Sequence, residues 1–250
     1  MDLHPDPARP LGPLTLAIDI GGTRLKAAVL DAAGQIIGEP HRTNTPPNAT
    51  PAAVLAALQD LAEGLGPFDR ISVGFPGVVR GGHVLTAPNL DTNAWHRFPL
   101  AATLSERLER PTRLLNDAEV QGLGVIAGHG LECVITLGTG FGFSLFQDGR
   151  LTPHLEIAHH PVHKDKTYDQ FVGNLALEAV GRKRWNKRVQ RALRCITGLV
   201  GFDVLYIGGG NARHIRFDLP ENVQIVSNQA GITGGVRLWD HALDAAFAAG

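Results

Sequence analysis

Cysteine is scarce: Cys133 and Cys195 are the only two in 250 residues. Two thiols so far apart exclude a disulfide framework and a cysteine zinc cluster, and they suit a reducing cytoplasm. Neither sign of charge dominates. Lys and Arg number 23 against 24 Asp and Glu, a formal net charge of −1. That balance excludes a globally basic nucleic-acid binder and an acidic tail, though not a local basic patch. No apolar run approaches the roughly 18 residues of a membrane span. The start of the chain lacks the charged and apolar regions of a signal peptide and carries Pro5, Pro7, Pro10 and Pro13 instead, so residues 1–13 are expected to be a loose tail. There is no GxxxxGK[ST] loop, nor a GxGxxG opening a helix after a first strand, which removes the Walker and dinucleotide-binding readings.

What the chain does have fits a soluble globular protein: 44% hydrophobic and 19% charged residues, with 30 glycines. A chain of this length buries roughly 70–75% of its unfolded surface without needing a staple. The apolar runs Leu14–Ile20 and Leu25–Leu30, separated by Gly21-Gly22-Thr23, and a third from Gln35, read as an antiparallel meander. Pro51 opens a helix to Gly64 with Val54, Leu55, Leu58 and Leu61 on one face. Ile71–Phe75 is a buried strand, Leu100–Leu108 a helix and Thr112–Leu115 a strand ending at Asn116-Asp117, with a helix to about Ile126. The pattern then repeats. Strands at Glu132–Leu137 and Phe141–Phe146 flank Gly138-Thr139-Gly140. Helices are expected near Tyr168–Val180 and Trp185–Leu199, strands at Val204–Ile207 and Val223–Val226, and a last helix from Gly231 to Ala249. Two halves, each opening on a glycine-turned hairpin, suggest a duplicated α/β unit with a cleft between the copies.

Three glycine-rich turns each follow a strand: Asp19-Ile20-Gly21-Gly22-Thr23, Leu137-Gly138-Thr139-Gly140 and Ile207-Gly208-Gly209-Gly210-Asn211. Glycine lets backbone N–H groups approach phosphate oxygens without interference from a Cβ, and Thr23 and Thr139 add hydroxyl donors. Any one such turn is an ordinary hairpin or helix cap; three at strand ends point to phosphate. Asp19 is placed to hold a metal through water, as magnesium prefers.

With these motifs in order, the chain resembles the ROK family of sugar kinases and repressors, which has the duplicated actin-like ATPase (ribonuclease H-like) α/β fold, two domains around a central cleft. Asp19-Ile20-Gly21-Gly22-Thr23 resembles the first phosphate loop. Gly74-Phe75-Pro76-Gly77 and Ala87-Pro88-Asn89-Leu90 resemble the sugar-side loops, and Asn116-Asp117-Ala118 the catalytic loop. Leu137–Gly140 resembles the second phosphate loop and Gly208–Asn211 the nucleotide-side turn. The likeness spans about residues 14–240 and is most similar to the polyphosphate-dependent glucokinase branch, through Arg184-Trp185-Asn186-Lys187-Arg188 and, more loosely, Asn228-Gln229-Ala230-Gly231. The resemblance implies a small domain over 14–115, with the helix 235–250 packing back on it, and a larger domain over 116–234. It assigns Asp117 as general base toward the sugar 6-hydroxyl; the residues alone also read Asp117, ahead of Ala118-Glu119-Val120, as the N-cap of the following helix, and both roles can coexist. It assigns Asn89, Asn116, Glu156 and His159 to sugar hydroxyls. It assigns Asp19, Gly21, Gly22, Thr23, Lys26, Gly138, Thr139, Gly140, Gly208, Gly209, Gly210 and Asn211 to phosphate or nucleotide. Glu156-Ile157-Ala158-His159 matches the family's Glu-x-Gly-His with Ala158 in place of glycine, and neither the family's second sugar-contacting glutamate nor its structural zinc cluster has a match.

From Arg182 to Arg194 there are seven basic residues and no acid. On helical spacing Arg184, Lys187, Arg188, Arg191 and Arg194 share a face opposite Ala192, Leu193, Ile196 and Val200. A solvated face is the usual fate of such a run. A polyanion explains it equally, and Lys187, Arg188 and Arg191, extended by Lys164 and Lys166, form the candidate polyphosphate track. With little aromatic interleaving, nucleic acid is not expected. The leading expectation is a cytoplasmic, magnesium-dependent kinase moving a phosphoryl group from polyphosphate or ATP to glucose, with no membrane partner; the resemblance implies a homodimer. The alternatives are a sugar- or phosphate-binding protein with weakened catalysis, a kinase for another sugar, a repressor, or a cytoskeletal ATPase. The repressor needs a DNA-binding segment ahead of Leu14, and the ATPase should lack the Asn-Asp-Ala and Glu-x-x-His groups.

Overall fold

A computed structural model describes residues 12–227 and 230–247. Residues 1–11, most of the expected tail, and Asn228 and Gln229 of the looser motif lie outside the described residues. The first meander is β1 (Thr15–Ile20), β2 (Arg24–Leu30) and β3 (Ile36–Asn44), followed by α1 (Pro51–Glu63) and β4 (Arg70–Phe75). A short hairpin, β5 (Val79–Arg80) and β6 (His83–Val84), and the turn α2 (Thr92–Trp95) precede α3 (Leu100–Leu108), β7 (Thr112–Asn116) and α4 (Asp117–Leu123). The second meander is β8 (Leu131–Leu137), β9 (Phe141–Gln147) and β10 (Arg150–Leu151). Then come the hairpin β11 (Pro161–His163) and β12 (Lys166–Thr167), α5 (Tyr168–Val172), α6 (Asn174–Leu199), β13 (Val204–Gly208), β14 (Val223–Ile225), α7 (Ala230–Thr233) and α8 (Asp244–Phe247).

The two halves repeat one topology. The first sheet is ordered β3-β2-β1-β4-β7 and the second β10-β9-β8-β13-β14. In each, the opening three strands pair antiparallel and the next two add in parallel. This is the duplicated actin-like arrangement.

Each sheet has its own core. Val54, Leu55, Leu58 and Leu61 of α1 pack on Leu16, Ile18, Val73 and their neighbours. Trp185, Val189, Ala192 and Ile196 of α6 pack on Cys133, Ile135, Leu205 and Ile207. A third cluster wraps α4, whose Val120 and Leu123 meet Val134, Phe146 and Tyr206 of the second sheet and Leu238 of the C-terminal segment. The parallel strands β4 and β7 therefore deliver the first turn of α4 to the junction of the halves.

Three local expectations are corrected. The helix after Asp117 is capped by Asn116, whose side chain accepts from the Ala118 amide, while Glu119 returns a bond to the Asn116 amide. Asn-x-x-Glu is a capping box, so Asp117 is the first helical residue and not the cap. The first helix expected from Tyr168 is broken at Gly173 (φ −66°, ψ 176°) into α5 and the start of α6, whereas the non-helical Gly181 (φ 72°, ψ 162°) falls in the expected break between Val180 and Trp185. The last helix, expected over 231–249 and packing back over 235–250, is instead α7, two 3₁₀ stretches (Gly234–Trp239 and His241–Leu243) and α8. Its backbone is taken by the first sheet: Ser72 Oγ donates to the Gly235 carbonyl at 2.7 Å, and the Trp239 indole donates to Ser72 Oγ at 2.9 Å. Asp240 is extended (ψ 135°), so a helical ladder cannot run through it.

Among the described residues no helix is long and apolar enough to cross a membrane.

Candidate active site

A cleft of about 180 Å³ opens where the two sheets meet. It is small beside the roughly 300–1,000 Å³ pockets that hold drug-sized ligands, which suits a compact polar molecule. Its walls come from both halves: Gly21, Gly22, Pro76, Gly77, Pro88 and Asn89 on one side, and Gly138 to Phe143, Leu155, Glu156, Ala158, His159 and Asp169 on the other, with Asn116 and Asp117 at the floor. Of the residues singled out in the sequence, Gly21, Gly22, Asn89, Asn116, Asp117, Gly138, Thr139, Gly140, Glu156 and His159 thus line one cavity.

Asp117 opens α4. Burial, reinforced by nearby Asp19 and, more weakly, by Glu156 and Glu119, pushes its carboxyl up to about 7, against a smaller opposing bond from the Ala118 amide. Such a group changes charge near neutral pH, which fits it to take a proton. Asn116, also in the lining, carries a structural part. Its Oδ1 accepts from Ala118, and its Nδ2 donates to the Gly77 carbonyl at 3.0 Å and that of Phe75 at 3.4 Å. With both ends engaged, Asn116 is a clip that holds the Pro76-Gly77 wall to the turn carrying Asp117.

The first glycine turn is closed by Gly21 N–H to the Arg24 carbonyl and by Thr45, whose hydroxyl donates to the Gly21 carbonyl. Close approach explains Gly22: a Cβ there would stand 2.9 Å from that of exposed Asn89. Asp19 and Lys26 face each other across β1 and β2, with Nζ 2.8 Å from Oδ2.

The second turn, Gly138 to Gly140, is held from below. The Asn174 amide donates to the Thr139 carbonyl, and Asp169 Oδ1 accepts from the Phe141 amide at 2.6 Å. The third turn lies outside the cleft lining and buttresses the second. Asn211 Nδ2 donates to the Gly138 carbonyl and to Asn174 Oδ1, and its amide to Leu137. Gly209 has φ +84°, and a Cβ there would run into the Leu137 backbone. Gly209→Ala therefore carries left-handed strain of about 1 kcal/mol or more and forces the two turns apart. The expected result is a melting temperature lowered by at least about 2–4 °C; an unchanged thermal transition would contradict the close packing.

Glu156 and His159 sit on a loop and a 3₁₀ turn, 3.9 Å apart at their nearest ionisable atoms. Ala158 is buried in a 3₁₀ turn, so the helical conformation there accommodates a Cβ.

Two cleft-side groups were missed in the sequence. Asp169, in the first turn of α5, stands 3.9 Å from His159. His154 joins Glu119 at 2.7 Å and Glu156 at 3.2 Å. The Asn-x-x-Glu spacing at Asn116 is the one signal the sequence offers here, and it speaks for a capping box, not for His154 or Asp169.

The basic stretch lines a separate groove. Lys187, Arg188, Arg191 and Arg194 of α6 border it with His163 and Phe171. Arg188 stacks over Phe171 and donates to its carbonyl. His163 is held below its usual value by desolvation and by Arg191, Lys164 and Arg188, so the hairpin tip brings Lys164 to the same patch. Trp185 is buried, its indole donating to the Val172 carbonyl, and belongs to the core. Helix α5 separates groove from cleft: Asp169 lines one and Phe171 the other.

Comparison with known proteins adds to this geometry. The ROK family profile matches residues 15–164. The polyphosphate glucokinase of Mycobacterium tuberculosis is 32% identical over 238 residues, covering 87% of this chain and 88% of that protein. The crystal structure of the inorganic polyphosphate/ATP-glucomannokinase of Arthrobacter sp. strain KM superposes with a TM-score of 0.81 at 30% identity, over 90% of this chain and 98% of that one. An N-acetylmannosamine kinase of Escherichia coli is 35% identical over 142 residues, covering 55% of this chain and 48% of that protein.

Proposed function

The chain belongs to the ROK family and is similar to sugar kinases; we propose that it is a glucokinase-type phosphotransferase that moves a phosphoryl group from polyphosphate or ATP to the 6-hydroxyl of glucose. The observation that carries this reading is the placing of Asp117, with its carboxyl pushed up to about 7, on the floor of the cleft that both glycine turns and the Glu156–His159 wall share.

In this reading Glu156, His159 and Asn89 hold ring hydroxyls and direct the primary hydroxyl at Asp117. The amides of Gly21–Thr23 and Gly138–Gly140 hold the donor's terminal phosphates. The hydroxyl oxygen attacks the terminal phosphorus, its proton passes to the Asp117 carboxylate, and the phosphorus–oxygen bond to the shortened donor breaks. Phosphoryl transfer asks mainly for such positioning and charge. Closure of the 14–115 part on the 116–234 part would expel water, which otherwise competes for the phosphoryl group. Gly208 to Asn211 act by supporting the second turn.

Magnesium fits this wall. Lys26 engages one oxygen of Asp19, and Asp19 is close enough to Asp117 to raise it, so the wall offers oxygen donors. Among the described residues no group of three or more His, Cys, Asp or Glu is arranged around a metal, and magnesium usually completes its shell with water and substrate phosphates. Asp19 would hold the ion, which when bound neutralises charge on the transferring group. Two unpaired cysteines, one of them buried, suit a cytoplasmic setting.

The test is a coupled assay for glucose 6-phosphate with magnesium, run separately with polyphosphate and with ATP, each freed of the other. N-acetylmannosamine serves as a second acceptor, because a kinase for that sugar shares part of the sequence. Turnover of glucose with either donor supports the reading, and phosphorylation of N-acetylmannosamine alone overturns it. For polyphosphate, the groove of Lys187, Arg188 and Arg191 is the proposed track. Lys187→Glu with Arg191→Glu, both exposed, is expected to raise the polyphosphate KM about tenfold or more at low salt, with the effect shrinking as salt rises and ATP kinetics unchanged. No change with either donor would return these residues to a solvated face, and an equal loss with both would point to a general structural effect instead of a polyphosphate track.

A further inference from the structure

Between the turn carrying Asp117 and the cleft wall runs a chain of three ionisable side chains, two of which, Glu119 and His154, the reading above leaves without a part. Glu119 Oε2 accepts from the Asn116 amide at 3.1 Å, and Oε1 faces His154 Nδ1 at 2.7 Å. His154 Nε2 faces Glu156 Oε2 at 3.2 Å. An imidazole with a carboxylate at each nitrogen satisfies both only by donating from both, which makes it a cation. The His154 side chain is 16% exposed and that of Glu119 5%, so these are charge-assisted bonds partly withdrawn from solvent screening. The ring is fixed at both ends. One end is the capping box that places Asp117. The other is Glu156, whose second oxygen is 3.9 Å from His159.

We propose that His154 is a positioning residue of the sugar site: as a clamped cation it holds Glu156 ionised on the cleft wall and ties that wall to the turn carrying Asp117. The proposal rests on the reading of Glu156 as a sugar contact and Asp117 as the base. The groups acting on His154 agree with it. Its hydrogen bonds to Glu119 and then Glu156 raise it to about 9 against the cost of burial, and its bond in turn lowers Glu156. The two carboxylates come from different elements, α4 and the loop before the 3₁₀ turn, 37 residues apart (156 − 119). Without the cation they would share one corner of the cleft with Asp117 as uncompensated like charges. Glu156 would then turn toward solvent, and the site would lose a preset acceptor.

The experiment compares wild type, His154→Gln and Glu119→Gln, the last keeping an acceptor for the Asn116 amide while losing the charge. The readouts are glucose affinity by calorimetry, steady-state kinetics at pH 8, and the ring-nitrogen NMR of ¹⁵N-histidine-labelled wild type. Expected are a ring protonated on both nitrogens from pH 6 to 8, a glucose Kd and KM raised about tenfold or more in both variants, the cost of one charge-assisted hydrogen bond, and a kcat within about threefold. A neutral His154 ring at pH 7.5, or variants that melt lower yet keep wild-type glucose KM, would overturn the proposal. The wild-type spectrum decides even where a variant fails to fold. If Asp117→Asn retains turnover, or wild type does not bind glucose, the underlying reading falls. If Asp117→Asn is inactive and His154→Gln binds glucose normally, the positioning role alone falls.

Discussion

Asp117→Asn is expected to lower kcat by about 10²–10⁴-fold, the span that a positioned general base contributes, while leaving the fold at least as stable at pH 8. Asparagine keeps an oxygen for the Ala118 amide, which now bonds Asp117 Oδ1 at 2.8 Å, so the helix start survives and only the proton acceptor is lost. The stability half follows from linkage. The Asp117 carboxyl stands at about 7 in the folded chain against an ordinary value of 3.8. Between those values the unfolded chain has ionised this group and the folded chain has not. Its contribution to stability therefore falls as pH rises from about 4 to about 7 and is constant above. Asparagine removes that penalty. The same number sets the activity profile of the wild type: kcat/KM should fall tenfold per pH unit below about 7, because the base must be unprotonated. Near-normal turnover of Asp117→Asn, or an acidic limb centred near 4, would refute the assignment. A variant that melts well below wild type at pH 8 would show that the carboxylate stabilises the fold instead.

The largest stability effect is expected far from the chemistry, at Glu132. This β8 residue is 1% exposed. Its Oε1 accepts from the Ala127 amide at 2.6 Å and from the Tyr206 hydroxyl at 3.0 Å, and its Oε2 from the amides of Gly128 at 2.7 Å and His129 at 3.1 Å. One carboxylate thus closes the loop between α4 and β8 and links it to β13. Glu132→Leu strands three amides and a phenol. Unmet buried donors cost about 1–3 kcal/mol each where they cannot reach water; with some relaxation the total should be about 3–5 kcal/mol, a large part of the 5–15 kcal/mol that holds a typical domain. Tyr206→Phe, which removes one neutral donor, should cost only about 1 kcal/mol. Denaturant unfolding of both variants checks this. A loss below about 1 kcal/mol for Glu132→Leu would mean that the loop finds other partners. Because Glu132 supports the loop that ends α4, the destabilised variant should retain catalysis while folded.

These two residues differ in how far the sequence revealed them. Asp117 was legible because it ends an apolar strand inside Asn-Asp-Ala, a local signal. Glu132 was read only as the start of a strand, since its partners are amides of a loop whose path no periodicity encodes. The same contrast holds for the elements. The two meanders and the first α1 face were legible because alternation, turn glycines and helical spacing are properties of neighbours in the chain. The last helix was misread because the local pattern from Gly231 onward is helical, while the first sheet claims the Gly235 carbonyl and the Trp239 indole through Ser72.

At the site, the motifs and the family they resemble drew together the first two glycine turns, Asn116-Asp117 and Glu156–His159, which line one cleft, and the duplication pointed to a cleft between halves. Folding assigned the work among them. It gave Asn116 a clip between two walls, set Gly208–Asn211 beneath the second turn, brought His154 and Asp169 to the cleft, and put α5 between the basic groove and the cleft. The physical reason is range. Backbone preference and apolar periodicity act over a few residues and are written in order along the chain. Hydrogen bonds between side chains such as His154 and Glu119, 35 residues apart, exist only once packing has fixed both loops in space.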